Sequence, residues 1–363
     1  MKIVCEALDL SEALFRVSKA CAVRTTVPVL ECIKISAVND SIVLLASDGE
    51  LSIEKKIKAE VMEEGEVCVP GKTFTDFIGK LIGVSVTLRT NENGLELIYG
   101  DNATSFQTLP ATEFPKVQTD VRENSFVMEY KEYKDLIAQT VFCCAQDDSR
   151  PILKGVLFEI EDDMLTATAL DGFRMAVVRK KVKSASGKLR IVCPARTLSE
   201  IARIIPEEDG ELTVFVQNGM MVELDATTVT SRLYQGEFIN YRNITPTEFT
   251  TNIVIDKEEF LNSVARAMIL IRGDKNNLVL LDIRNDGIRI SSASEMGNVQ
   301  ENVGCELYGK ELKIAMNSKY ISESVKAVPG DKVAIGFNTP VAPFVVHDLA
   351  GAEDFYLVLP VRT

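Results

Sequence analysis

The sequence of 363 residues is 46% hydrophobic and 26% charged, which fits two or three folded domains and excludes disordered, collagenous and mucin-like chains. Forty basic against 53 acidic side chains leave a net charge of −13, so a tight duplex binder that neutralises phosphates over its whole surface is disfavoured and any basic face must be local. No apolar stretch reaches the roughly 20 residues of a membrane helix, and Met1-Lys2-Ile3-Val4-Cys5-Glu6 carries no signal-peptide pattern, so a cytosolic chain with no membrane partner is expected.

Taken in chain order, a helix over 10–21 precedes Asn39-Asp40-Ser41-Ile42-Val43-Leu44, a turn that opens an alternating strand. Pro70-Gly71-Lys72 is a helix entry, and apolar residues at 74, 77, 78 and 81 extend a helix over 70–81. Asn91-Glu92-Asn93-Gly94 is a hairpin turn, and Pro110-Ala111-Thr112-Glu113-Phe114-Pro115 a connector. The series then recurs. A helix over 131–142, the turn and strand from Asp162-Asp163, a helix over 194–205, the hairpin Gln217-Asn218-Gly219 and the connector from Ile239 to Pro246 follow. A third round places helices over 257–272 and 317–328 around the hairpin Asn285-Asp286-Gly287.

The turn-and-strand landmark returns at offsets of 123 residues, from Asp40 to Asp163 to Asp286. Internal repetition at this period predicts three α+β domains, 1–121, 122–246 and 247–363, each with two helices packed on antiparallel sheet.

Few catalytic signatures survive inspection. The one histidine, His347, follows Phe344-Val345-Val346 and reads as a strand-end residue. Gly65 to Thr73 resembles a phosphate loop, but five residues separate its glycines where four are needed, and Pro70 removes an amide donor. Eight cysteines show no C-x-x-C spacing and read as buried, reduced thiols, with no metal site expected. A carboxylate-based enzyme and a purely structural interaction protein stay open beside any binding role.

The six helical windows hold thirteen basic and eight acidic residues, a net +5 that leaves −18 on strands and loops. Lys72-Asp76-Lys80, Arg196-Glu200-Arg203 and Lys319-Glu323-Lys326 set basic, acidic and basic side chains on one helical face at matching places in each repeat. Each could be a solvated face stitched by ion pairs, yet threefold recurrence suits a segregated basic surface that meets a phosphate backbone.

Arg24-Thr25-Thr26-Val27-Pro28-Val29-Leu30, Thr108-Leu109-Pro110 through Phe114-Pro115, Asp171-Gly172-Phe173-Arg174-Met175-Ala176 and the closing Leu359-Pro360-Val361-Arg362-Thr363 resemble segments of the bacterial DNA polymerase III beta subunit family, the sliding clamps. The likeness runs the length of the chain. It implies a head-to-tail homodimer of three-domain protomers closed into a ring, with helices lining the hole and sheets outside. Such a ring is retained on duplex DNA by topology, without sequence preference, and is an accessory processivity factor of a nucleotidyltransferase complex, with no cofactor and no catalytic residues of its own. Its implied partners are the DNA polymerase III alpha subunit, the clamp loader, and other DNA polymerases and repair proteins.

Carried over by position, Arg24, Lys72 and Arg150 resemble duplex-facing residues, with Lys80, Arg196, Arg203, Lys319 and Lys326 in support. The loop Gln146-Asp147-Asp148-Ser149-Arg150 departs from the family pattern, and its two aspartates are expected to oppose phosphate. The resemblance also implies a groove for partner peptides at Leu153, Leu170, Gly172, Phe173, Arg174, Met175, Ile239, Asn243, Ile244, Tyr320, Pro340, Val341, Leu359, Pro360, Val361 and Arg362. At the subunit seam it sets Thr104 and Phe106 against Ile269 and Leu270.

Overall fold

The computed structural model describes residues 1–81, 83–117, 122–271 and 277–362, with the Ala352 side chain outside that set. Val121, Arg272 and Thr363, which end the first predicted domain, the fifth predicted helix and the closing motif, lie outside the described residues. Six helices form where helical spacing places them: α1 (Ala7–Val17), α2 (Gly71–Ile78), α3 (Tyr130–Thr140), α4 (Ala195–Ile204), α5 (Lys257–Leu270) and α6 (Ser318–Ala327). None is long and apolar enough to cross a membrane.

Local chemistry explains their limits. On α1, Leu10, Ala13, Leu14 and Val17 are buried on one face, and each large side chain contributes about 1.5–3 kcal/mol by leaving water. The helix starts at Ala7, earlier than the apolar spacing suggested, because Ala7 is itself buried and its N–H reaches Val84 O at 3.0 Å. α2 stops at Ile78, short of the predicted Leu81. Asp256 caps α5 by accepting from Glu259 N at 2.9 Å, and Asn317 caps α6 by accepting from Lys319 N at 3.0 Å.

The described residues divide into two compact units. The first (Met1–Tyr130, Lys183–Ser186, Ser199–Leu233) holds a nine-stranded antiparallel sheet. Five of its strands (Ser184–Ala185, Asn124–Glu129, Glu211–Val216, Met220–Leu224, Thr227–Ser231) come from the second repeat and four (Leu51–Lys58, Ser41–Ser47, Cys32–Val38, Gly65–Pro70) from the first. A separate five-stranded sheet runs from Glu60–Glu63 to the edge strand Asn102–Phe106.

The second unit (Lys131–Val182, Gly187–Leu198, Tyr234–Thr363) repeats the scheme. Four strands of the second repeat, ending in Arg174–Lys181, join five of the third, beginning with Gly351–Val358. A four-stranded sheet ends in the edge strand Gly297–Val303. Each repeat thus contributes one four-stranded and one five-stranded half, and the halves fuse across repeat boundaries. Sequence periodicity finds the repeats but not this fusion, because pairing partners leave no mark in a hydrophobic pattern.

The predicted hairpins are present. Asn91 pairs with Gly94 and Arg284 with Gly287 across two-residue loops, while Val216 pairs with Met220 around Gln217-Asn218-Gly219. The repeat extends to hydrogen bonds. Asp48 Oδ1 accepts from Glu50 N and Leu51 N at 3.0 and 2.8 Å, and Asp171 Oδ1 accepts from Phe173 N and Arg174 N at 2.8 and 2.9 Å. Between them Gly49 and Gly172 take φ of +92° and +94°, a region open to glycine at little cost. His347 sits in the strand Phe344–Asp348 with Nδ1 2.7 Å from Asp348 O.

Candidate functional site

All eight candidate DNA-facing side chains are exposed: Arg24, Lys72, Lys80 and Arg203 in the first unit, and Arg150, Arg196, Lys319 and Lys326 in the second. Lys72 is the second residue of α2, while Lys80 lies just past its end, donating its backbone N–H to Phe77 O at 3.0 Å. The expected ion-pair stitching forms in one triplet, where Arg203 meets Glu200 at 2.6 Å. Lys72, Lys80, Lys319 and Lys326 make no ion pair among the described residues. Glu323, read from the sequence as the partner of Lys319 and Lys326, turns away and pairs with Arg174 instead.

The loop before Pro151 is less acidic in effect than its sequence. Lys154 Nζ lies 2.6 Å from Asp148 Oδ1 and balances that charge. Asp147 accepts from the Ser149 hydroxyl and, at 2.9 Å, from Ser149 N, which holds its carboxyl below the usual range. Arg150 is left exposed with no ion pair among the described residues.

The candidate peptide groove lies within the second unit. Its floor is a buried apolar cluster that includes Leu153, Leu170, Met175, Phe238, Tyr241, Val345 and Leu357, with Ile239 and Leu359 packed against it. Phe173, 59% exposed, stacks on Tyr320 with ring centroids 6.3 Å apart. Leu359 N donates to Phe173 O at 2.8 Å, and Val361 N to Ala315 O at 2.8 Å, which fixes the course of the C-terminal segment through Pro360. Val341 and Ile244 expose apolar side chains, Pro340 and Asn243 are exposed beside them in sequence, and Arg362 is exposed at the end of the C-terminal segment. Gly172 has open space where a Cβ would stand.

Arg174 anchors this arrangement. It is buried, with Nε 3.1 Å from Asp171 Oδ2, a contact to Glu323 through Nη1, and its guanidinium carbon 4.5 Å from the Tyr320 ring centroid. Burial works against its charge, but the hydrogen bond to Glu323 and the surrounding anionic groups outweigh it and hold its pKa above the ordinary value. The sequence reading did not place Phe238, Tyr241, Glu323 or Phe142, whose carbonyl accepts from Arg174 Nη2, at the groove. Tyr241 and Phe238 carried a usable signal, since two buried aromatics beside an interdomain connector need a common core.

At the candidate seam, Ile269 is 68% exposed and Leu270 is half-buried on α5, beside the edge strand Gly297–Val303. Thr104 is half-buried on the opposite candidate edge, Asn102–Phe106. Phe106 differs from the expectation of a seam side chain. It is buried in its own repeat, edge-on to Phe74 at 5.2 Å and to Phe77 at 5.5 Å.

The cysteines are mostly buried. Burial pushes the thiols of Cys5, Cys21, Cys68 and Cys144 up to about 12, and no group of three potential ligands is placed to hold a metal among the described residues.

Comparison with known proteins decides the family. The N-terminal, central and C-terminal domain descriptions of the DNA polymerase III beta subunit match residues 1–118, 127–240 and 242–362. The chain belongs to the DNA polymerase III beta subunit family. Members of this family are accessory subunits rather than catalysts. The beta sliding clamps of Staphylococcus epidermidis and Staphylococcus aureus are each 32% identical over 357 residues, 95% of either chain. The solved sliding clamp of Bacillus subtilis superposes with a TM-score of 0.96 at 28% identity, covering 100% of this chain and 99% of that one. The beta subunit of Pseudomonas aeruginosa, solved bound to griselimycin, gives 0.94 at 26% identity with full coverage of both chains.

Proposed function

We propose that two copies of this chain, each of three repeats cut at residues 121 and 246, close head to tail into a ring around duplex DNA. In the cytoplasm the ring tethers the DNA polymerase III alpha subunit, the clamp loader, and other DNA polymerases and repair proteins through the groove at Phe173 and Tyr320. Held near its template by a sliding tether, a distributive polymerase works at high effective concentration and becomes processive.

One observation carries this reading. The four-stranded half of the first repeat joins the five-stranded half of the second through Leu51–Lys58 and Thr227–Ser231, and the second joins the third through Arg174–Lys181 and Gly351–Val358. The equivalent strands that remain, Gly297–Val303 and Asn102–Phe106, are both sheet edges. Unpaired edges invite strand addition, and a second copy supplies the complementary edge at each end. Two such seams close a ring of six repeats.

Weak phosphate contact suits a ring held by topology, and the exposed cations on α2, α4, α6 and the two loops support the DNA-facing role. The test is retention on a nicked circular duplex after loading by a clamp loader and ATP. Retention is expected to vanish when the circle is cut; protein that stays on the linear product, or never associates with the circle, would refute the proposal.

A further inference from the structure

The junction of the first and second repeats is framed by the same pairing as the groove just described. Leu51 faces Ser231 where Arg174 faces Val358, and Arg232 N donates to Glu50 O at 3.1 Å where Leu359 N donates to Phe173 O. A cavity of about 430 Å³ lies there, with Ser47, Glu50, Ser52, Lys116, Asn218 and Arg232 in its walls. At the repeat offset, Ser47 stands in place of Leu170, Glu50 of Phe173, Ser52 of Met175 and Lys116 of Ile239, and along the paired strand Arg232 takes the place of Leu359. The backbone frame is kept while its lining changes from apolar to polar.

Ser47 is 3% exposed, and its Oγ takes the N–H of Gly49 at 3.1 Å and the hydroxyl of Ser52 at 2.8 Å. The two hydroxyls carry two protons and offer one acceptor to each other, so one proton is available to an acceptor in the cavity. Lys116 and Arg232 form no ion pair among the described residues. An unpaired guanidinium, an ammonium and a buried donor together select a carboxylate.

We propose that this cavity binds a short, extended, acidic peptide segment along the course that the apolar groove offers its own peptide. Arg232 and Lys116 outnumber Glu50 in the cavity wall and hold a peptide carboxylate, and the Ser47–Ser52 pair donates to a second oxygen. That the occupant is a peptide rests on the reading of the groove at Phe173.

Fluorescence anisotropy of the full chain with two labelled hexapeptides, one built of Asp and Ser and one anchored by Leu and Phe, tests this. The acidic probe is expected to saturate at one per protomer, to resist displacement by the apolar probe, and to weaken at least tenfold in Arg232→Glu. Arg232 is exposed and its backbone N–H, which the substitution keeps, makes the bond to Glu50 O, and an unchanged melting temperature shows that the variant folds. Phe173→Ala should weaken only the apolar probe. Absence of saturable acidic binding, indifference to Arg232→Glu, displacement by the apolar probe, or competition by duplex DNA would each overturn the proposal. Failure of the apolar probe alone would strike the groove at Phe173 instead.

Discussion

Arg174, in the second repeat, donates to the carboxylate of Glu323 on α6 of the third, and the guanidinium lies against the Tyr320 ring. The pair ties the turn that carries Phe173 to the helix that carries Tyr320, so the stacked rings of the groove depend on a buried charge contact.

Removing that partner has a definite cost. Glu323→Gln leaves the Arg174 charge buried with Asp171 as its remaining carboxylate contact, and a loss of about 1–3 kcal/mol is expected. Lys319→Gln and Lys326→Gln should be close to neutral. Urea unfolding of the three variants checks this; equal, small effects would restore Glu323 to a surface stitch.

The seam predicts an assembly change. Ile269→Ala combined with Leu270→Ala removes apolar surface beside the edge strand Gly297–Val303, and the dimer is expected to dissociate into monomers by sedimentation. Phe106→Ala should act differently, lowering monomer stability by about 3 kcal/mol because the ring is buried against Phe74 and Phe77.

Much of the fold was readable from the sequence, and the unread parts share a cause. Recurrence of the turn and strand from Asp40 to Asp163 to Asp286 exposed the repeats, and spacing at Phe74 and Ile78 exposed a helix, because both are local signals. The direction taken by Glu323, the burial of Phe106 and the fusion of half-sheets are decided by residues far apart in the chain. A carboxylate set between two lysines on a helix looks like their partner until a buried arginine comes within reach.

The exposed lysines predict a salt signature. Each of Lys72→Gln, Lys80→Gln, Lys319→Gln and Lys326→Gln should lower the slope of log affinity against log salt by about 1 where the lysine meets a phosphate. Topological retention on circular DNA should persist through all four single changes. Filter binding across a salt series checks the first expectation, and an unchanged slope in every variant would remove these lysines from the DNA-facing surface.

The turn at Asp225-Ala226 supplies a stability prediction whose sign differs for its two residues. Both take positive φ, +41° and +49°, a conformation that costs a residue with a Cβ about 1–2 kcal/mol. Ala226→Gly is therefore expected to stabilise the first unit by roughly 0.5–1 kcal/mol, after the extra entropy of unfolded glycine is offset. Asp225 opposes the strain from the same turn, with Oδ2 2.5 Å from Arg16 Nη1 and 3.1 Å from Lys55 Nζ. Burial alone would raise its pKa, but these two hydrogen bonds prevail and hold it below the ordinary value. A depressed folded value means that the contribution is present at neutral pH and fades as pH falls through that lowered value. Half-exposed as it is, the group contributes about 0.5–1 kcal/mol after solvent screening. Asp225→Asn should accordingly shift the urea midpoint at pH 7 and converge with the unmodified chain as pH falls through the lowered value. A gap that persists in acid would assign the effect to packing in the turn rather than to charge.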